Sequence, residues 1–236
     1  MMSVFTPEEW TIIGLSLRIS LVAVIVMLPF AFVLAWILAR WRFPGKLLLD
    51  ALVHLPLVVP PVVTGWLLLL LFGTQGPMGR WLEHWFGVTL LFRWTGAALA
   101  AAIMALPLMV RAMRLSIEAI DTRLEQAAHT LGAGHVRTFF TISMPLARPG
   151  LMAGAILAFA RCMGEFGATI TFVSNIPGET QTLPIAIYAA MQVPGGEALV
   201  TRLALISLAL SLSALVAAEL LARRIPTGGR GHADRH

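Results

Sequence analysis

The chain predicts an all-α, polytopic membrane protein of about five transmembrane helices, and three observations carry that prediction. Of its 236 residues, 58% are hydrophobic and 12% are charged. Soluble domains carry about 25% charged residues, so the deficit points to a bilayer rather than to a large aqueous core. Mean hydropathy is +0.83, and the apolar residues gather in five runs, at residues 10–39, 47–72, 96–110, 146–172 and 199–222. The basic residues fall between these runs in short clusters, as loop charges that set membrane orientation do. The net charge of +5 therefore does not indicate nucleic acid, since no aromatic-interleaved basic face accompanies it.

The first run is long enough, at about 1.5 Å per residue, to cross a hydrocarbon core of roughly 30 Å. Thr6 reads as its N-cap, Pro7 as the first helical residue, and Glu8 and Glu9 complement the dipole in the first turn. This acidic N-terminus lacks the basic n-region of a signal peptide, so no cleavage is expected. Arg18 is expected to snorkel toward the outer interface. The second run holds Pro56, Pro60 and Pro61, followed by Thr64 and Gly65. Internal prolines force a kink or local unwinding, and broken backbone at membrane depth is tolerated where it is buried or lines a cavity. Packing and pathway lining both remain open for Pro60, Pro61 and Thr64.

The third run ends at Arg111, and the polar stretch 117–145 separates it from the fourth. Within the fourth, Arg161 and Glu165 stand four apart, on one helix face, where charges usually point inward and pair. They could serve packing alone, or sit beside a pore with Gly164, Gly167 and Thr169, the glycines permitting close helix approach. Residues 174–196 do not form a clean span. A short apolar piece at 183–191 lies between Pro- and Gly-rich breaks, and an outer loop with a short helix lying in or dipping into the membrane is expected. The fifth run follows. The whole reads as one membrane domain over residues 1–225, with a disordered cytoplasmic tail at 226–236.

Arg40, Arg42 and Lys46 follow the first run. Arg111, Arg114, Arg123, Arg137 and Arg148 follow the third, and Arg223, Arg224, Arg230 and Arg235 follow the fifth. The opposite loops hold Arg80, Arg93 and Arg202 with Glu8, Glu9, Glu83, Glu179 and Glu197. The positive-inside rule then gives an outer N-terminus and a cytoplasmic C-terminus. Trp10 and Trp41 bracket the first span, and Trp81, Trp85 and Trp94 crowd an outer loop, as an aromatic belt would.

No enzyme constellation is evident. A phosphate-binding GxxxxGK[ST] loop is missing from the sequence, so this chain is not expected to bind ATP. His54, His84, His129, His135, His232 and His236 do not share metal-ligand spacing, and the lone Cys162 reads as a small buried hydrophobe. The informative segment is 117–145. Leu124, Ala127, Ala128 and Leu131 recur at i, i+3, i+4, i+7, and then Gly132 and Gly134 break the helix before Val136 resumes it. Two short helices joined by a glycine elbow on the cytoplasmic side offer a docking surface to a soluble partner. The alternative, an amphipathic helix lying on lipid, suits this alanine-rich stripe less well.

This segment resembles the EAA loop of ABC-importer permeases. Ala127, Ala128, Gly132, Ile142 and Pro145 match the motif in identity and spacing, while Gln126 stands where its Glu is usual and Glu125 directly precedes it. Residues 43–63, 104–121 and 164–184 resemble the molybdate permeases of that family, and the run FVSNIPGET at 172–180 resembles them in particular. Sulfate permeases share the signature at 164–167. The resemblance implies a type I importer permease fold in the bacterial inner membrane. It implies two copies of this chain, a cytoplasmic ABC ATPase dimer that carries ATP and Mg, and a periplasmic molybdate-binding protein. It further implies that Glu125, Gln126, Ala127, Ala128, Leu131, Gly132, Gly134 and Pro145 couple to the ATPase, with no cofactor on this chain. An ion-driven secondary transporter would instead call for acidic relays and an internal repeat, and neither is seen.

Overall fold

The computed structural model describes residues 6–223, and every regular element among them is helical. The expected tail at 226–236 lies outside the described residues. Helix α1 (Pro7–Arg40) starts as its sequence dictates. The Thr6 hydroxyl accepts from the Glu9 amide at 3.3 Å, and the Glu9 carboxylate accepts from the Thr6 amide at 2.8 Å, closing a capping box over Pro7. Arg18 has a partner within the chain. Its guanidinium lies over the Trp94 ring, 3.9 Å from the centroid.

The second apolar run is two helices, α2 (Lys46–Val58) and α3 (Pro61–Phe72), bent by 115°. Two consecutive prolines explain the bend. Val59 is extended because a proline follows it, Pro60 has no N–H to give, and Pro61 restarts a helix at N1. Next comes α4 (Pro77–Phe86), a helix that the sequence reading left unassigned. Trp81 and Trp85, four apart and both exposed, were the available signal.

Helix α5 (Trp94–Glu118) is the axis of the fold, packing against α1, α2, α8 and α9. Of its most apolar stretch, 67% is buried, against 28% for α1. The helix continues past residue 110 to Glu118, and Ile117, which the sequence places in the polar stretch, is fully buried. The polar side chains of this last stretch are paired: Arg114 binds Glu118 at 2.8 Å and Asp50 of α2 at 3.1 Å. Small residues, Ala97, Ala101 and Ala105 among them, let neighbours come close to α5. A Cβ on Gly150 would collide with the Cβ of Ser116, and one on Gly154 would stand 3.0 Å from the Met109 carbonyl oxygen.

Beyond α5 come α6 (Thr122–Thr130), α7 (His135–Thr138), a π-helical turn (Phe139–Ser143) and α8 (Met144–Met163). The last three make a continuous rod, His135–Met163. The expected span 146–172 is interrupted. It breaks at residues 164–166 and resumes as α9 (Gly167–Val173), because Gly164 ends the helix and Phe166 leaves helical geometry at φ −132°, ψ −58°. The short apolar piece is α10 (Leu183–Met191), as expected. The Ser16 hydroxyl fastens it to α1, accepting from the Leu183 amide at 2.8 Å while donating to the Ile12 carbonyl. Helix α11 (Glu197–Arg223) is the last element among the described residues, and its Arg202 meets the buried Glu9 at 2.6 Å. Among the described residues, three helices are long and apolar enough to cross a membrane, or four if the bent α2–α3 pair is one span.

The ion pairs sort by end. Glu9–Arg202 joins the starts of α1 and α11, whereas Arg40–Glu125 and Asp50–Arg114 gather the end of α1, the start of α2, the end of α5 and α6. The elbow and the first basic cluster therefore share one end of the bundle.

Candidate functional site

The elbow is built by local chemistry. Asp121 caps α6, its carboxylate accepting from the Arg123 amide at 2.9 Å. At the other end Gly132 sits at φ +85°, a conformation that L side chains rarely adopt. Its amide donates to the His129 carbonyl and the Ala133 amide to the Ala128 carbonyl, both at 3.0 Å, which is a Schellman termination. A Cβ on Gly132 would meet nothing within 4 Å, so the backbone alone requires glycine. Gly134 also faces open space, but at φ −70° it is the extended residue before α7.

Helix α6 buries none of its residues. Leu124, Gln126, Ala127 and Leu131 are exposed, Leu131 at 88%, and Val136 and Phe140 extend this apolar surface past the glycine turn. Ala128 is half-buried on the inner side. Glu125, which the resemblance places among the coupling residues, is paired within the chain. Its Oε1 accepts from Arg40 Nη2 at 3.0 Å and from the Ser143 hydroxyl at 2.7 Å. Sequence reasoning missed both partners because they lie 85 and 18 residues away. Pro145 occupies the first turn of α8. Phe139 of the π turn stacks edge-on against Trp36 with centroids 5.0 Å apart, bracing the base of the elbow on α1. A mid-helix π turn is a frequent mark of a functional joint. His129 and His135 face each other across the elbow at 4.6 Å, and no group of three or more metal-ligating side chains occurs among the described residues.

The second cluster lies where the two broken rods meet. A Cβ on Gly167 would come 2.8 Å from the Cβ of Pro61, and one on Gly65 would come 2.6 Å from the Ala168 carbonyl oxygen, so α3 and α9 touch backbone to backbone. Thr64 and Thr169 are buried here, and Pro60 is exposed at the bend. Arg161 and Glu165 pair at 2.6 Å, as their spacing predicts. The other Glu165 oxygen, Oε1, accepts from the Ala168 amide at 2.9 Å and so caps α9. The carboxylate is buried while the guanidinium stays part-exposed. Within the chain a Cβ on Gly164 would meet nothing within 4 Å, so no neighbouring helix of the same chain presses on it. The run at 172–180 is the end of α9 followed by a stapled loop from Ser174 on. Ser174 adopts φ +63°, and the buried Thr180 hydroxyl holds that turn, donating to the Ser174 carbonyl and accepting from the Ile176 amide, both at 2.8 Å.

Residues 9–226 match the family described as "Binding-protein-dependent transport system inner membrane component". The chain is 57% identical over 220 residues to "Molybdenum transport system permease protein ModB" of Escherichia coli (strain K12), covering 93% of this chain and 96% of that protein. It is 36% identical over 199 residues to "Sulfate transport system permease protein CysT" of the same organism, covering 83% of this chain and 72% of that one. Among solved structures, a bacterial ABC transporter involved in import of the acidic polysaccharide alginate superposes with a TM-score of 0.75 over 94% of this chain and 82% of that one. At 16% identity this likeness concerns the fold.

Proposed function

The chain belongs to the binding-protein-dependent transport system inner membrane component family, and from that premise we propose that it is the membrane-spanning permease of an ATP-driven molybdate importer. It is a transport subunit of the inner membrane, not an enzyme. The observation that carries the substrate is the 57% identity to a molybdenum transport permease over nearly the full length of both chains, against 36% for a sulfate permease.

Two copies of the chain form the pathway. A periplasmic binding protein delivers the oxyanion, and a cytoplasmic ATPase dimer, which holds ATP and Mg, receives the elbows. Five crossings follow if α1, the α2–α3 pair, α5, the His135–Met163 rod and α11 each traverse the bilayer, with residues 1–225 as one domain. The N-terminus is then periplasmic and the C-terminus cytoplasmic. The gathering of Arg40, Asp50, Arg114 and Glu125 at one end supports this arrangement, since the basic loops and the elbow then share the cytoplasmic side.

Gln126, Ala127, Ala128, Leu131, Gly132 and Gly134 shape the docking surface, and Pro145 starts the rod that carries it. ATP binding draws the ATPase pair together and with it the elbows. Two orientations of the spans then differ in their affinity for the closed ATPase, and the population shifts between them. Pro60, Pro61, Thr64, Gly164, Gly167 and Thr169, with the Arg161–Glu165 pair, border the pathway where α3 meets α9. Carboxylates would repel a dianion, and Glu165 is neutralised by Arg161 and the α9 amide. Selectivity resides chiefly in the delivery protein, and the permease gates.

Uptake of labelled molybdate into vesicles holding the permease, its ATPase and the binding protein tests this reading. Competition by tungstate but not by sulfate is expected. Competition by sulfate at equal concentration would move the chain to the sulfate and thiosulfate permeases.

A further inference from the structure

The elbow meets the rest of the bundle through a small set of groups. On α6, Leu124 and Ala127 look outward, while Glu125 and Ala128 look back toward the rods. The Glu125 carboxylate binds Arg40, the last residue of α1, and Ser143, the last residue of the π turn that opens α8. One oxygen thus ties the elbow to two separate rods. The Arg40 and Glu125 side chains are only 16% and 21% exposed, which limits screening of the pair by salt. The space beside the carboxylate is not filled by apolar packing: a cleft of about 380 Å3, bordered by Trp36, Glu125, His129, His135 and Phe139, opens there. With α6 burying no side chain, directed bonds rather than burial hold its inner face.

We propose that Glu125 is a positioning residue that transmits displacement of the elbow to α1 and α8, instead of contacting the ATPase. This inference rests on the docking role proposed above. When the ATPase moves α6, a charge-assisted bond at 3.0 Å carries the end of α1 with it, and the bond to Ser143 turns the base of α8 in the same stroke. Cutting this strap leaves the docking face intact and loosens the elbow from the end of α1.

The test uses the complete transporter in proteoliposomes, with Glu125→Ala and a charge exchange, Arg40→Glu with Glu125→Arg. Glu125→Ala should co-purify with the ATPase and hydrolyse ATP, while molybdate carried per ATP falls about tenfold, the scale at which coupling residues act. The charge exchange should recover most of the loss. Loss of ATPase co-purification in Glu125→Ala would show a direct contact and overturn the proposal, and so would an unchanged ratio of molybdate to ATP. A second readout does not depend on the substrate. With Cys162→Ala as background, spin labels at Arg42→Cys and Arg123→Cys report the distance between α1's end and α6. That distance should stay constant through the ATP cycle with Glu125 present and vary in Glu125→Ala. A distance that varies with Glu125 present, or stays constant without it, refutes the strap. A wild-type complex that carries no molybdate would sink the functional reading, and the label distances would still decide the strap.

Discussion

Helices α5 and α6 are consecutive in the chain and are held by opposite means. Most of the apolar stretch of α5 is buried among alanines, methionines and the glycine faces of α8, so its position is over-determined by packing. Helix α6 buries nothing and is located by a cap at Asp121, a left-handed glycine at 132 and one carboxylate. Packing of the first kind resists movement. Bonds of the second kind keep a segment oriented while leaving its outer face free for another molecule. The contrast assigns α5 the part of a fixed axis and α6 that of a handle.

The comparison breaks most visibly at Gly150. Gly150→Leu must drive a side chain into Ser116 of α5 and separate two rods along their length, so no folded permease should be recovered from membranes by size-exclusion chromatography in detergent. A monodisperse peak at wild-type yield would show that α5 is not a rigid axis. Gly132→Asp is the converse. The chain should insert and fold, because the site is open, yet ATPase captured on the tagged permease should fall about thirtyfold, a hot-spot loss of about 2 kcal/mol. Undiminished capture would remove the elbow from the docking surface.

A finer distinction concerns Arg161. Arg161→Ala leaves the buried Glu165 charge with only the α9 amide, and should cost about 2 kcal/mol, more than Arg161→Ala combined with Glu165→Ala. If thermal unfolding ranks the double variant lower, the pair is not what holds the break between α8 and α9. The smallest effect is expected at Thr6→Ala, which opens the capping box of α1. About 1 kcal/mol, or a lowering of the melting temperature by about 3 °C, should result with transport unchanged.

Local signals in the chain were sufficient wherever one or two residues decide the backbone. Thr6, Pro7 and Glu9 announced the start of α1, Gly132 announced the elbow, and the breaks around 183–191 isolated α10. They misled where tertiary partners overrule composition. The stretch from Ile117 on reads as polar, yet Ile117 and Glu118 belong to α5, where Arg114 pairs with Glu118 and with Asp50, distant in sequence. Gly164 and Gly167 look alike in sequence, yet Gly167 meets Pro61 while Gly164 ends α8 and meets no other helix of the chain. Glu125 showed the limit most clearly. Its place beside the Ala pair suggested an outward role, and only the three-dimensional meeting of α1, α6 and the π turn reveals that it points inward.

Helix α1 has 34 residues, so it is about 51 Å long, some 20 Å more than a typical hydrocarbon core. Tryptophans 10 and 41, both exposed at its extremities, prefer the headgroup levels on either side. A rod of that length must lean to satisfy both, and it must lean further as acyl chains shorten. Arg40 stands at its C-terminal tip, so any change in that lean would displace the very group that Glu125 grips.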